Sequence, residues 1–143
     1  MASLRKIARI GVSIAAVRKS DRAMLLVKRG RPPAKDMWAF AGGKVEYGEH
    51  LAAAAKRELF EETGLSIEET QLSFLRPVEI IIDDADQTIS HFVLMCFSVA
   101  VEDAEPVAGD DALEARFYSL EQMRTLNATP STLEIAAELA DSH

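Results

Sequence analysis

Three glutamates, Glu58, Glu61 and Glu62, follow Arg57 near the end of the stretch Gly43–Leu65. Helical three-and-four spacing gathers those carboxylates at one end of one face. Like charges so placed repel, and the helix dipole disfavours anions at a C-terminus. Something must offset that repulsion. One candidate is a hard divalent cation, because Mg²⁺ takes oxygen ligands from one or two carboxylates plus substrate phosphates. The plainer alternative is a solvated acidic face with Arg57 as its ionic partner.

The element that must carry these residues is a helix. Ala52–Ala55 and the residues after them are strong helix formers. Gly64 suits the left-handed residue that commonly ends a helix. The helix is therefore predicted from His50 to Thr63. Leu51, Ala55, Leu59 and Glu62 line one row, and Ala54, Arg57, Glu58, Glu61 and Leu65 its neighbour. Glu49 falls at the helix start, where the dipole favours a carboxylate.

The whole stretch resembles the signature box of the Nudix hydrolases. Gly43, Glu49, Arg57, Glu58, Leu59, Glu61, Glu62, Gly64 and Leu65 stand at the positions of that pattern. Seven specified residues at about one in fifteen each make a chance match roughly one in 10⁸ per start position, so coincidence is set aside. The box spans 23 residues, and the flanking pattern extends the likeness over most of the chain. The resemblance implies the Nudix fold, an α/β (α+β) arrangement with a mixed β-sheet between α-helices, occupying residues 1–143 as one domain. It implies a pyrophosphohydrolase using Mg²⁺, with Mn²⁺ as a substitute. Glu58 and Glu62 resemble the family's main metal ligands, with Glu61 beside them as ligand or general base. Arg57 looks like the arginine that orients a carboxylate with its bidentate fork. A glutamate in the loop before the last strand assists in many relatives; Glu114 is the candidate here, with Asp110 and Asp111 behind it.

Arg29-Gly30-Arg31-Pro32-Pro33 and Gly109-Asp110-Asp111-Ala112 look similar to bacterial Nudix proteins known as ADP-ribose pyrophosphatases. The expected substrate is thus a nucleoside diphosphate linked to another group, with ADP-ribose first. A house-cleaning nucleoside triphosphate pyrophosphatase is the second expectation, and a non-catalytic nucleotide-sensing module the third. Arg29 and Arg31 are candidate phosphate contacts, and Trp38 or Phe40 a stacking partner for a base. Each also reads as ordinary packing or surface charge. Gly42-Gly43 allows either a close approach to substrate or metal, with the Gly43 carbonyl as ligand, or a plain strand turn. Where relatives commonly carry proline before the two glycines, this chain has Ala41.

Composition narrows the partners. The 143 residues carry 16 basic and 23 acidic side chains, a net charge of −7. That argues against a nucleic-acid polymer as partner, which needs basic surface. A small phosphate ester remains compatible, because a bound cation supplies local positive charge. Cys96 is the one cysteine, so no intramolecular disulfide is expected, which suits a reducing cytoplasm. No continuous apolar run follows Arg5, Lys6 and Arg9, so no signal peptide is expected, and no run of about twenty apolar residues suggests a membrane span. Homodimers are frequent among proteins of this resemblance.

Around the helix the pattern predicts strands. Ile7–Val17 and Ala23–Arg29 read as a hairpin joined through Lys19–Arg22. Met37–Ala41 is a short extended segment after a loop whose prolines forbid a central strand. Gln71–Arg76 is a strand interrupted by Pro77, with Val78–Ile82 extended beyond it. A polar turn at Asp83–Gln87 leads to a long central strand, Thr88–Val101, on which His91 and Cys96 read as core. An acidic loop, Glu102–Asp111, precedes a last strand at Glu114–Ser119. Leu120–Leu126 reads as a short helix. Ser131 is expected to cap a final helix to about Ala140, burying Leu133, Ala136, Ala137 and Ala140.

Overall fold

The computed structural model describes residues 6–84 and 87–142, and only the backbone of residues 84 and 87–89. Six strands form one sheet: β1 (Arg9–Arg18), β2 (Met24–Arg29), β3 (Trp38–Lys44), β4 (Ser73–Asp84), β5 (Gln87–Val101) and β6 (Ala112–Tyr118). Their order is β4-β5-β1-β3-β2-β6. β1 and β5 run parallel and the other pairs antiparallel, so the sheet is mixed. Helix α1 (Leu51–Thr63) covers one face; α2 (Leu120–Met123) and α3 (Pro130–Asp141) cover the other.

Strand alternation explains why both faces need helices. On β1, Val12, Ile14 and Ala16 pack towards α1, while Ala15 and Val17 join the core under α2 and α3. β2 divides likewise, with Leu25 and Val27 on the α1 side and Met24 and Leu26 on the other. A strand apolar at successive positions has no face to give to water. Ala54, Ala55 and Leu59 lie on the buried side of α1, and the alanines let the helix approach the sheet closely.

Several sequence expectations are corrected. β1 and β2 are not a simple hairpin. They pair at Val17↔Met24 beside the turn and then diverge. β3 fills the gap, its first half (Trp38–Phe40) on β2 and its second (Ala41–Lys44) on β1. The strand also runs through Gly42 and Gly43 instead of turning there. Pro77 does not interrupt β4; the strand is at the sheet edge, where a missing N–H is tolerated, and a register shift falls just before it. Of the expected polar turn, Asp83, Asp84 and Gln87 belong to strands, while Ala85 and Asp86 lie outside the described residues. Thr129, not Ser131, precedes α3, because Pro130 takes the first helical position, where its lack of an N–H costs nothing. The buried face of α3 accordingly centres on Thr132, Ile135 and Ala136, and Ala140 is exposed. α1 begins at Leu51 with His50 as its cap residue, and Gly64 ends it at φ 77° with its N–H on Phe60 O. Cys96 is free and buried. No helix among the described residues is long and apolar enough to cross a membrane.

Candidate active site

Arg57 is the hub of the acidic face of α1. Its Nε and Nη2 donate to Glu49 Oε2 and Oε1 at 2.8 and 2.9 Å, a bidentate fork. Nη1 donates to Glu58 Oε1 at 2.8 Å and to Glu61 Oε1 at 3.0 Å. Nη2 also reaches the Lys44 carbonyl at 3.0 Å, tying the helix to the end of β3. So the ionic partner considered for these glutamates is real, and it answers part of their repulsion. The Arg57 fork, then the Glu46 N–H, holds the Glu49 carboxyl down at about 2. The three carboxylates keep the Arg57 guanidinium charged well beyond its ordinary range.

Glu58 and Glu62 face the sheet. Glu58 is 8% exposed. A Cβ added at Gly43 would lie 2.6 Å from its carboxylate carbon and oxygens. Gly43 is therefore a close-approach glycine, and no side chain fits between β3 and this glutamate. Its carbonyl lies next to Gly11, 2.9 Å from where a Cβ there would sit. Glu62 Oε1 accepts the Gly42 N–H at 3.0 Å. Burial raises the Glu58 pKa against the pull of Arg57. Burial likewise pushes Glu62 up to about 7, against the Gly42 N–H.

The loop after β5 completes the surroundings. Val107 N–H donates to Thr63 O at 2.8 Å and Gly109 N–H to Glu62 O at 3.1 Å, satisfying carbonyls that a helix C-terminus leaves open. This docking brings the Asp110 charge to bear on both Glu58 and Glu62. Asp110, behind Glu114 among the sequence candidates, is thus the loop carboxylate that the fold brings to the cluster.

Glu114 is not brought there. Its β6 neighbours Ala115 and Phe117 pack on the α1 side, so strand alternation turns Glu114 to the opposite face, towards Lys28 Nζ at 3.9 Å and Arg116 Nη2 at 3.2 Å. Trp38 and Phe40 are also on the far side, 8% and 6% exposed in the core under α2 and α3, with Trp38 edge-on to Tyr118 at 5.1 Å. Neither ring is open for stacking on a base. Arg29 lies near enough to Glu62 to act on its charge, with its Nε donating to Pro33 O at 2.8 Å. Arg31 pairs with Asp111 at 2.8 Å and is 68% exposed. Strand parity puts Glu114 opposite Phe117, but only the assembled sheet says which of the two faces the acids. The docking of Asp110 had no sequence signal, since it depends on a loop meeting the end of a helix 47 positions earlier.

The residues fit a hard divalent cation. The donors are all oxygen, and Glu58, which is buried, and Glu62, which is half-buried, both have raised pKa values, so each gains from a nearby positive charge. Among the described residues no three of His, Cys, Asp or Glu are yet gathered about a single point. Glu58 and Glu61 each give an oxygen to Arg57.

Residues 8–139 match the family described as NUDIX domain. An ADP-ribose pyrophosphatase of Methanocaldococcus jannaschii is 35% identical over 115 residues, covering 80% of this chain and 65% of that protein. The crystal structure of a MutT NUDIX hydrolase from Burkholderia pseudomallei superposes with a TM-score of 0.78 at 30% identity, covering 93% of this chain and 98% of that one. The NUDIX domain of Shewanella oneidensis NrtR, solved with ADP ribose, gives a TM-score of 0.81 at 17% identity, covering 96% and 90%, a likeness of fold. The chain spans about two thirds of the archaeal relative's length.

Proposed function

The chain belongs to the NUDIX family and is a Nudix hydrolase, and from that premise we propose that it is a Mg²⁺-dependent pyrophosphohydrolase. Its substrate is a nucleoside diphosphate linked to another moiety, with ADP-ribose the leading choice. Mn²⁺ substitutes for Mg²⁺. The observation that carries this reading is the Arg57 hub, with Glu58 pressed against Gly43 and Glu62 on the Gly42 amide. The 35% identity to an ADP-ribose pyrophosphatase supports the substrate.

Each residue has a part. Glu58, Glu62 and Glu61 would hold the cation, with the Gly43 backbone as a further oxygen donor. The ion supplies charge neutralisation on the phosphates and Lewis-acid activation for hydrolysis. Arg57 keeps Glu58 and Glu61 in place, and is itself fixed by Glu49 and Lys44 O. Asp110, in the assisting place expected of Glu114, takes the proton from the attacking water, because it is the loop carboxylate whose charge bears on Glu58 and Glu62. Arg29, beside Glu62, meets a substrate phosphate. The buried thiol of Cys96 suits a reducing cytoplasm, and residues 1–143 act as a single domain, alone or as a homodimer. Neither a nucleic-acid polymer nor a membrane is part of this reading.

The test is a product assay with Mg²⁺ across ADP-ribose, other nucleotide sugars, dinucleoside polyphosphates and nucleoside triphosphates. AMP from ADP-ribose with triphosphates untouched supports the proposal. Pyrophosphate from a triphosphate moves the function to nucleotide house-cleaning. Tight nucleotide binding without any product identifies a sensing module.

A further inference from the structure

Asp110 holds φ at 52°. A non-glycine residue stays in that sparsely populated region where its surroundings over-determine it, although aspartate tolerates it better than most. The surroundings act from both sides. Before it, Gly109 N–H is bonded to Glu62 O at 3.1 Å, so close that a Cβ on Gly109 would fall 2.4 Å from Glu61 O. After it, Asp111 is held twice by the segment following β2. Gly30 N–H donates to Asp111 O at 2.9 Å, and Arg31 Nη2 meets Asp111 Oδ1 at 2.8 Å. A Cβ on Gly30 would lie 2.5 Å from that same Asp111 carbonyl. One flank of Asp110 is thus anchored to the metal-ligand helix and the other to Gly30-Arg31.

We propose that the Arg31–Asp111 ion pair is a positioning clamp for Asp110, so that Arg31 serves hydrolysis through that loop and not by touching substrate. The proposal rests on the functional reading above, in which Asp110 belongs to the reacting centre. It reassigns Arg31, which sequence alone offers as a phosphate contact. It also gives the Gly30-Arg31 segment a reason to meet the loop before β6: the two segments on either side of the carboxylate cluster are joined at one point.

A charge swap tests it. Arg31→Asp and Asp111→Arg are each expected to lower kcat about five-fold, the scale of one exposed ion pair, with KM nearly unchanged. The double variant R31D/D111R is expected to regain wild-type kcat within about two-fold, since it restores the pair with reversed polarity. Arg31→Lys, which keeps a charge able to reach Asp111, is expected to keep most of kcat. Hydrogen exchange at the Gly30 and Gly109 amides, followed without metal or substrate, should quicken in the single variants and recover in the double. Circular dichroism melting confirms that each variant is folded. A rise in KM in R31D that the swap leaves uncorrected would show Arg31 on the substrate and overturn the clamp. Unchanged kcat and unchanged amide exchange in both single variants would also overturn it. If the wild type hydrolyses nothing, the functional reading fails on its own, and the exchange series still decides whether the ion pair holds the loop.

Discussion

Glu62 meets two demands that conflict without a metal. It must be ionised to bind a cation, yet burial pushes its pKa to about 7. The unfolded chain releases this proton near the ordinary value of about 4.3. Between those values the native state holds a proton that the unfolded state lacks, so stability falls as pH rises. The contribution is complete below about pH 4 and is lost as pH passes through 7. Melting temperatures in EDTA should therefore decline from pH 4.5 to 8 more steeply in the wild type than in Glu62→Gln. The same variant should lose activity by orders of magnitude while being as stable as the wild type, or more so, without metal; wild-type turnover in it would remove Glu62 from the ligand set. Glu49 has the opposite sign. Its folded pKa is depressed to about 2, so its contribution is present above the ordinary carboxylate range and lost as pH falls towards 2. Glu49→Gln should flatten the acid limb of the stability curve below about pH 4.5. Gly43→Ala drives a methyl into the Glu58 carboxylate. Overpacking of this kind costs about 1–3 kcal/mol, and here it should also abolish turnover, measured as kcat beside the urea midpoint.

At the scale of elements, the site is a junction of three segments. β3 brings the Gly42 and Gly43 backbone to Glu62 and Glu58, α1 carries the acids, and the loop before β6 docks on the end of α1. Thr63 is fully buried in that junction. Its Oγ1 donates to Leu59 O at 2.6 Å and accepts the Leu65 N–H at 3.2 Å. Thr63→Val keeps the shape but leaves the Leu65 N–H without its acceptor, a loss of about 1–3 kcal/mol for a buried donor. Chemical denaturation should show that loss, and hydrogen exchange at Val107 and Gly109 should quicken, since both amides bond to the adjoining helix end. Unaltered exchange there would show that the loop holds its place independently of Thr63.

Over the whole molecule, the sheet separates stability from chemistry. Met123 and Ile135 fill the core on the face away from the acids, and Leu59 the core beneath them. Met123 is 0% exposed, so Met123→Ala should cost about 2–5 kcal/mol. Its kcat, assayed well below the melting temperature, should match the wild type, whereas Leu59→Ala, next in sequence to Glu58, should lose both stability and kcat. A fall in kcat for Met123→Ala at a temperature where it is folded would show that the two faces are coupled.

What the amino-acid sequence determined by itself is local. Spacing along one helix placed Arg57, Glu58, Glu61 and Glu62 together, Gly64 ended that helix, and the apolar runs of β1, β2 and β5 foretold strands within a covered sheet. Such features follow from the 3.6-residue helical repeat, from unbroken apolar runs and from the backbone freedom of glycine, which need no knowledge of distant residues. Tertiary structure decided everything that depends on which segments meet. The insertion of β3 between β1 and β2, the turning of Glu114, Trp38 and Phe40 away from the acids, and the arrival of Asp110 beside Glu58 and Glu62 are of this kind. The physical reason is that a strand's two faces are equivalent until the sheet is assembled. Only when α1 claims one face and α2 and α3 the other does each side chain acquire a side, and only a docked loop can bring Asp110 to glutamates so far back in the chain.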